Sequence, residues 1–482
     1  MNNASLMILE IIVVLLGMAV LLIDLWTPPG AKKNLGYVAA AALAAVFAGS
    51  FFISPGTPVH AFGGMFVLDD LALFFKRFFL LAGVIILLMS VEYAERISTG
   101  IAEYYALVLF ALAGMLFAAS ADDFIMVFVA LELITVTFYI LNSFQRGRVA
   151  SLEAGVKYLI LAALASSFLV FGIAFIFGAA NTTNFGELAL AKKSVLESPV
   201  FLFGLLMVLV GLGFKIAAFP FQIWAPDVYQ GSPSPSTAFL AVGSKAAGIV
   251  LLLRVLFSAV PEVTFHWTKL LMAVSAVTIL YGNLCAIPQR NIKRLLGYSS
   301  IANAGYLLLG FSASTNDGAS AILYFLGGYL FTVLGAFTVV CILTRNSESE
   351  DISILAGLNQ RSPFLAAVLT FSMVSLAGVP PLVGFFGKFL LIKAVVQQGL
   401  VHHSYLVLIA VAILGVAISF YYYFGIIRAI YWSKDPTDLS PIEISWPSRV
   451  SLLVCLVSML YFGIFPQGLL AMTDNAVKLF KL

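Results

Sequence analysis

Charged residues are scarce in this chain of 482 residues. Only 10% are Asp, Glu, Lys or Arg, whereas 62% are hydrophobic and the mean hydropathy is +1.05. A soluble domain carries about a quarter charged residues, because its core needs a polar coat. The composition therefore excludes a large soluble enzyme and indicates a chain embedded in a membrane. The net charge is only +3 and the basic residues are scattered, which argues against nucleic-acid binding.

Cysteines are few, and nucleotide-binding motifs are missing. Cys285, Cys341 and Cys455 lie far apart, which excludes a disulfide framework and a CxxC metal site. The four histidines have no metal-ligand spacing with Cys, Asp or Glu. The sequence contains no GxxxxGKS or GxxxxGKT motif and no glycine-rich turn in a βαβ setting. We therefore predict no metal site, and no binding of ATP or NADH by this chain.

Long apolar runs are what the sequence does contain. A membrane-spanning helix needs about 20 apolar residues, and β-barrel strands would instead show about 10 residues of alternating polarity. The latter pattern is absent. The sequence predicts an all-α polytopic membrane protein of about fourteen spans, at residues 5–26, 35–54, 71–92, 103–120, 122–144, 154–179, 200–221, 236–259, 267–287, 292–312, 318–344, 361–397, 404–431 and 449–471. Residues 55–70 are too polar to span and are expected to form an external hairpin or loop.

The loop charges predict an orientation. Basic residues accumulate in cytoplasmic loops, and the loops after odd-numbered spans hold thirteen of them against five on the opposite side. The thirteen are Lys32, Lys33, Arg96, Arg146, Arg148, Arg290, Lys293, Arg294, Arg345, Arg361, Arg428, Lys434 and Arg449, and the five are Lys192, Lys193, Lys269, Lys478 and Lys481. Both termini are therefore expected on the non-cytoplasmic side, which requires an even number of spans.

Two spans are interrupted at matching places. The seventh breaks at AAFPFQIWAPD and the twelfth at AGVPPLVGFFGK. Interrupted spans at corresponding positions of two halves are a sign of transporters built from repeats. Aligning Pro220 with Pro380 gives an offset of 160 residues. We expect four segments: 1–100, a first repeat at 101–260, a second repeat at 261–432, and a C-terminal helix within 433–482.

Four ionisable residues lie deep in apolar runs: Glu132, Lys215, Lys245 and Lys388. An ionised group at the centre of a spanning helix costs at least about 2.5 kcal/mol, so each needs a partner, water or a neutral state. We hypothesise that they relay protons. The hydroxyls and amides of GYSSIANAGY on the tenth span would carry a water chain between Lys245 and Lys388, or would simply join helices.

Other charges near the spans have simpler interpretations. Glu153 and Lys157 are four residues apart on one helix face, and they form either an ordinary intrahelical pair or an extension of the relay. Lys76, Arg77 and Arg254 lie towards the outer surface and are expected to anchor the chain there.

The motifs resemble a known family. FPFQIWAPDVYQGSPSPSTAFLAVGSKAAG, QRNIKRLLGYSSIANAGY and GVPPLVGFFGKF, with a buried glutamate on the fifth span, are similar to the antiporter-like membrane subunits of respiratory complex I, the proton-translocating NADH-quinone oxidoreductase. The resemblance covers nearly the whole chain. It is of the subunit N type, also called subunit 2, because the long lateral helix of the L type is missing and Lys388 stands where the M type has a glutamate.

This resemblance implies fourteen helices, with helices 4–8 and 9–13 as inverted five-helix repeats and with helices 7 and 12 interrupted. It implies proton-path roles for Glu132, Lys215, Lys245 and Lys388, and less directly for Lys157. It also implies a non-redox subunit of an NADH:quinone oxidoreductase translocase, with NADH, FMN, Fe–S clusters and quinone held by other subunits. Expected partners are small core membrane subunits on one side and an M-type subunit on the other, in the bacterial inner membrane.

Two alternatives share the glutamate and the lysines. One is a subunit of a multisubunit Na⁺/H⁺ antiporter, and the other is a subunit of a membrane-bound energy-converting hydrogenase.

Overall fold

The fold is described from a computed structural model, which covers residues 3–54, 56–97, 100–345, 349–432 and 440–480. Within these residues the chain forms twenty-two α-helices: α1 Asn3–Leu6, α2 Ile8–Asp24, α3 Leu35–Gly49, α4 Asp70–Glu92, α5 Ile101–Ala119, α6 Phe124–Asn142, α7 Val149–Ala180, α8 Phe185–Ala189, α9 Lys193–Leu196, α10 Pro199–Ile216, α11 Trp224–Gly231, α12 Ser234–Phe239, α13 Lys245–Leu253, α14 Thr264–Ala286, α15 Ile292–Ala313, α16 Asn316–Thr344, α17 Leu358–Arg361, α18 Pro363–Ala377, α19 Val383–Gly399, α20 Ser404–Trp432, α21 Trp446–Ile464 and α22 Gln467–Val477.

All fourteen predicted apolar runs are helical. Among the described residues, eleven helical segments are long and apolar enough to cross a membrane. The remaining three spans are α2, which has 17 residues, α15, whose sequence IKRLLGYSSIANAGYLLLGFSA is more polar, and the broken pair α18 and α19. The predicted all-α polytopic fold is therefore confirmed. The predicted segment 433–482 begins at residues 433–439, which lie outside the described residues.

The eighth span is one continuous helix with two wider turns. Ser234–Ala259 consists of α12, a π-helical turn at Leu240–Ser244, α13, and a second π-helical turn at Arg254–Ala259. Such turns insert extra residues into a helix and often lie at functional sites. Lys245 is the first residue after the first π turn. This span is surrounded by the rest of the bundle along its whole length.

The connecting segments separate into two faces, as alternating spans require. The segments after the fifth, ninth and eleventh spans meet where Glu350 pairs with Arg148 at 3.0 Å and with Lys293 at 3.1 Å. We call this side the basic face. On the opposite face, strands β1 (Val59–Ala61) and β2 (Phe66–Leu68) form an antiparallel hairpin, and Phe66 bridges to Ala121 before α6. The hairpin predicted within 55–70 is therefore confirmed.

Two of the three predicted interfacial anchors are buried instead. Lys76 is fully buried on α4 and pairs with the equally buried Glu10 of α2 at 2.8 Å. Arg254 is 2% exposed and forms a bidentate pair with Asp69, with N–O distances of 2.7 and 2.8 Å. The expectation that these two residues anchor the chain at the outer surface was wrong, because each cation pairs with a carboxylate from a neighbouring element. Arg77 alone stays near the surface, where it donates to backbone carbonyls after α3.

The two interrupted spans break in the same way. Residue Ala217 follows α10 with a φ of +58°, and Gly378 follows α18 with a φ of +86°, so both helices end in a left-handed cap. Aligning these caps gives an offset of 161 residues and matches Pro220 with Pro381. The predicted offset of 160, which used Pro380, was wrong by one residue. The two spans are five helices apart and therefore run in opposite directions through the bundle.

Candidate functional site

The four predicted relay residues lie on α6, α10, α13 and α19. The three lysines are almost completely buried, with exposed fractions of 5% for Lys215, 2% for Lys245 and 4% for Lys388. Glu132 is only partly buried, because α6 lies at the side of the bundle. Each of the four groups has a polar neighbour, as the cost of burying a charge in a membrane demands.

Glu132 and Lys215 are joined by hydroxyl groups. Ser166 of α7 donates a hydrogen bond to the carboxylate of Glu132. One turn further along α6, Thr135 accepts a hydrogen bond of 2.9 Å from the Lys215 ammonium, which also contacts the Tyr158 hydroxyl at 3.3 Å. The lysine therefore lies beside the helix turn that carries the glutamate.

A small cavity of about 20 Å³ fills the space between these groups. It is lined by Thr135, Ser166 and Lys215, together with apolar residues of α6, α7 and α10. A cavity needs about 10–15 Å³ to hold one water molecule, and such a water needs two or more polar partners. This cavity meets both conditions. A single water would complete a hydrogen-bonded path from the carboxylate region to the ammonium.

Lys215 and Lys245 approach each other through close helix packing. Gly248, one turn after Lys245, packs against the side-chain stem of Lys215, and an added Cβ there would lie 3.3 Å from it. Tyr158, which contacts Lys215, also interacts with the hydroxyl of Ser244, the residue before Lys245. Glycine at 248 lets α10 and α13 come this close.

The Lys245 ammonium lies beside hydroxyl groups from α11, α15 and α16. It donates to the carbonyl oxygen of Ser300 at 2.6 Å and to the Ser300 hydroxyl. Two tyrosines converge on the same hydroxyl: Tyr229 of α11 lies at 3.2 Å and Tyr329 of α16 donates at 3.1 Å. Ser300 therefore connects Lys245 with a tyrosine of α11 and a tyrosine of α16.

Tyr329 also reaches the surroundings of Lys388. It lines a cavity of about 10 Å³ together with Asn303, Thr332, Ser375 and Lys388. This volume is at the lower limit for one water. The Lys388 ammonium lies 4.8 Å above the ring of Tyr306, a cation–π distance. Three polar residues of the tenth span thus lie beside the two lysines: Ser300 contacts Lys245, and Asn303 and Tyr306 lie next to Lys388.

Lys388 of α19 reaches across the interruption and caps the end of α18. Its ammonium donates to the carbonyl oxygens of Leu376 at 2.7 Å and Ala377 at 3.5 Å, both in the last turn of α18. The last carbonyls of a helix have no intrahelical donor and carry partial negative charge. The interruption of the twelfth span therefore supplies the acceptors that keep Lys388 in the membrane.

Glu153 and Lys157 belong to a separate cluster at the basic face. Lys157 pairs with Glu153 at 2.7 Å and with Asp227 of α11 at 2.7 Å, and Asp227 also binds Arg294 of α15 at 2.5 Å. Burial acts to raise the pKa of Asp227, but the hydrogen bonds from Lys157 and Arg294 outweigh it and hold the pKa below its ordinary value. The cluster is partly exposed, so it lies at the surface of the basic face.

Comparison with known proteins decides the family. Residues 121–415 match the family described as NADH:quinone oxidoreductase/Mrp antiporter, transmembrane. The chain is 38% identical over 480 residues to the NADH-quinone oxidoreductase subunit N of Moorella thermoacetica, covering 100% of this chain and 99% of the relative. It is 38% identical over 482 residues to the subunit N of Trichlorobacter lovleyi, covering 99% and 97%. The chain belongs to the NADH-quinone oxidoreductase subunit N family.

Solved structures agree with this assignment. A chain of respiratory complex I from Thermus thermophilus with bound aureothin superposes with a TM-score of 0.79 at 32% identity, covering 96% of this chain and 98% of that chain. The Mrp complex of Dietzia gives a TM-score of 0.85 at 21% identity, with 99% and 97% covered, and an archaeal membrane-bound sulfane sulfur reductase gives 0.87 at 24%, with 98% and 96% covered. At these identities the last two show a shared fold only, so the comparisons favour subunit N over the antiporter alternative.

The side chains that connect the four ionisable groups were mostly not predicted from the sequence. Thr135, Tyr158, Ser166 and Tyr329 each lie in a long apolar run, where an isolated hydroxyl is common and carries no pattern. The one signal was positional, since Thr135 follows Glu132 by three residues and therefore shares its helix face. Within the described residues, no group of three or more His, Cys, Asp and Glu side chains is placed to hold a metal ion.

Proposed function

We propose that protons move laterally through this subunit along the line Glu132, Lys215, Lys245 and Lys388. The observation that supports this proposal is a series of polar side chains: Ser166 and Thr135 lie between the first two groups, and Ser300 and Tyr329 lie between the last two. Between Lys215 and Lys245, Tyr158 contacts Lys215 and interacts with Ser244, the residue before Lys245. Two small cavities of about 20 and 10 Å³ occupy the gaps. Groups that are almost completely buried exchange protons only through such contacts or through single waters.

The chain acts as a non-redox subunit of NADH-quinone oxidoreductase. The reaction on NADH and quinone would take place in other subunits, which would hold the FMN, the Fe–S clusters and the quinone. Ser166 contacts the Glu132 carboxylate and Thr135 contacts the Lys215 ammonium, so the two groups would exchange a proton through these hydroxyls or through a single water. A conformational change that moves Glu132 away from Lys215 would release a proton towards Lys245.

The exposure of Glu132 also supports the partners that we propose. Glu132 is partly exposed at the side of the bundle in the isolated chain, and an ionisable group is not left facing lipid. We propose that the small core membrane subunits cover this side, and that an M-type subunit covers the side near Lys388. The loop charges favour a cytoplasmic basic face and both termini outside the inner membrane. Asp227 with Lys157 and Arg294 would then lie where protons enter.

The test is NADH-driven proton translocation in inside-out membrane vesicles that contain the assembled complex. Glu132→Gln and Lys215→Ala, made separately, should each reduce translocation by about 100-fold, the lower end of the range for losing a proton-transfer group. Quinone reduction by artificial donors and complex assembly serve as controls. Wild-type translocation in both variants would sink the proposal.

A further inference from the structure

A cavity of about 760 Å³ opens at the basic face, between the segment that follows α14, residues 351–353 and the last turns of α20. Both helices end at this face, and Arg290 follows the end of α14 while Arg428 lies one turn before the end of α20. The two arginines therefore lie at the same membrane level. The cavity is also lined by Asp351, and by the exposed aromatic side chains Tyr421 and Trp432.

The guanidinium groups of the two arginines are available to a ligand. Both are exposed, and neither Arg290 nor Arg428 has an ion-pair or hydrogen-bond partner for its guanidinium within the part of the chain that the structure describes. The backbone around them is fixed, because the carbonyl oxygen of Arg290 accepts a hydrogen bond of 2.8 Å from Ile352. The one carboxylate of the cavity, Asp351, already accepts a hydrogen bond of 2.8 Å from the backbone of Ser353. The cavity lining thus carries two guanidinium groups and one carboxylate, which gives it a net positive charge.

An apolar surface continues from this cavity along the spans. Exposed apolar side chains recur at intervals of seven residues on α14, at Leu270, Val277 and Leu284, and on α20, at Val407, Leu414 and Tyr421. A spacing of seven keeps side chains near one face of a helix. Because α14 and α20 pack against each other, these faces line the side of the bundle below the two arginines.

We propose that this cavity binds the phosphate headgroup of an anionic phospholipid, whose acyl chains lie along α14 and α20. Guanidinium groups bind phosphate oxygens in a bidentate manner, and basic pockets between spans on the cytoplasmic side recognise anionic headgroups. Trp432, at the end of α20, lies at the interfacial level where such side chains are enriched. A soluble phosphate would use the arginines but not the apolar faces, so both features together favour a lipid.

The proposal is tested with the full-length chain in detergent, by native mass spectrometry with phosphatidylglycerol and with phosphatidylcholine of the same acyl chains. The wild type should prefer phosphatidylglycerol. Arg290→Gln/Arg428→Gln should bind it roughly 30-fold more weakly, since each basic residue near the headgroup contributes about fivefold. The matched control is Arg146→Gln, which removes an exposed arginine of the same face away from the cavity, and which should bind as the wild type does.

Further arms separate the other occupants. Glycerol 3-phosphate without acyl chains should not compete at concentrations that saturate phosphatidylglycerol, and competition would overturn the lipid assignment in favour of a free-anion site. Arg290→Lys/Arg428→Lys keeps the charge and should retain most of the binding, even if the Gln variant folds poorly. Equal affinity of the wild type and the Gln variant would overturn the proposal. Equal anionic lipid content in assembled complexes that contain the wild type and the Gln variant would also overturn the proposal, because a neighbouring subunit would then cover the cavity.

Discussion

Lys388 donates a hydrogen bond of 2.7 Å to the carbonyl oxygen of Leu376, across the interruption that separates α18 from α19. Leu376 precedes the left-handed cap Gly378 by two residues, as Lys215 precedes the left-handed cap Ala217 by two residues. The two lysines therefore reach equivalent helix ends from opposite sides of their interruptions. One is carried by the ending helix and the other by the helix that follows, so an inverted repeat places an ammonium at both breaks.

Lys388→Met should reduce NADH-driven proton translocation by about 100-fold, because no other side chain of α19 can hold a proton at the end of α18. Lys393→Met is the matched control, since Lys393 is on the same helix but is exposed. Translocation is measured in inside-out vesicles, with the amount of assembled complex determined in parallel. Equal translocation by Lys388→Met and Lys393→Met would remove Lys388 from the path.

Thr135→Val should slow translocation by about three- to tenfold. The substitution keeps the shape of the side chain but removes the hydroxyl that accepts from Lys215, which corresponds to the loss of one hydrogen bond of about 1 kcal/mol. Thr137→Val is a close control, because among the described residues the Thr137 hydroxyl bonds only to the carbonyl of Leu133 on its own helix. The decisive comparison is the initial rate of proton uptake in the two variants. A loss in Thr137→Val equal to that in Thr135→Val would indicate a general effect on α6.

The positions of the helices could be predicted because each span must be apolar over its length, and this property is local in the sequence. The same holds for Glu132, Lys215, Lys245 and Lys388, which were found because a charge in an apolar run is conspicuous. The ion pairs between helices, in contrast, cannot be recognised from a local stretch of the sequence. The sequence analysis placed Lys76 and Arg254 at the interface because their partners, Glu10 and Asp69, are distant in the sequence. The depth of both cations is set by helix packing.

The connecting hydroxyls and the two cavities required the structure for the same reason. Ser166 and Thr135 approach Lys215 only because three helices meet around it. The exact register of the repeat also required backbone geometry. The matching feature is the left-handed cap at Ala217 and Gly378, and alanine gives no sequence signal for a positive φ.

Asp227→Asn should destabilise the protein at neutral pH by about 1 kcal/mol, because the cluster with Lys157 and Arg294 is partly exposed. The folded-state pKa of Asp227 lies below the ordinary value of 3.8. Its stabilising effect is therefore fully present above that value and is lost as the pH falls below it, through the folded-state pKa. Thermal unfolding of the wild type and Asp227→Asn in detergent should differ at about pH 7 and converge in strong acid.

A difference between the wild type and Asp227→Asn that stays constant with pH would contradict this prediction, since the ion pairs would not be its source. Glu153→Gln is the control, because Glu153 pairs with the same lysine but is 59% exposed. We expect its removal to change the unfolding temperature little at any pH.

Glu10→Gln should destabilise the protein by about 3–5 kcal/mol, because it leaves the ammonium of Lys76 buried without a countercharge. Glu10→Leu/Lys76→Met removes both charges and should recover most of this loss, since replacing a buried pair by apolar groups of similar volume is often neutral. Asp24→Asn is the matched control on the same helix, because Asp24 pairs with the partly exposed Lys32 and should cost at most about 1 kcal/mol. Thermal unfolding in detergent measures all three. If the double variant is as unstable as Glu10→Gln, the pair itself holds α2 against α4; recovery would mean that the cost of Glu10→Gln comes from the unpaired lysine.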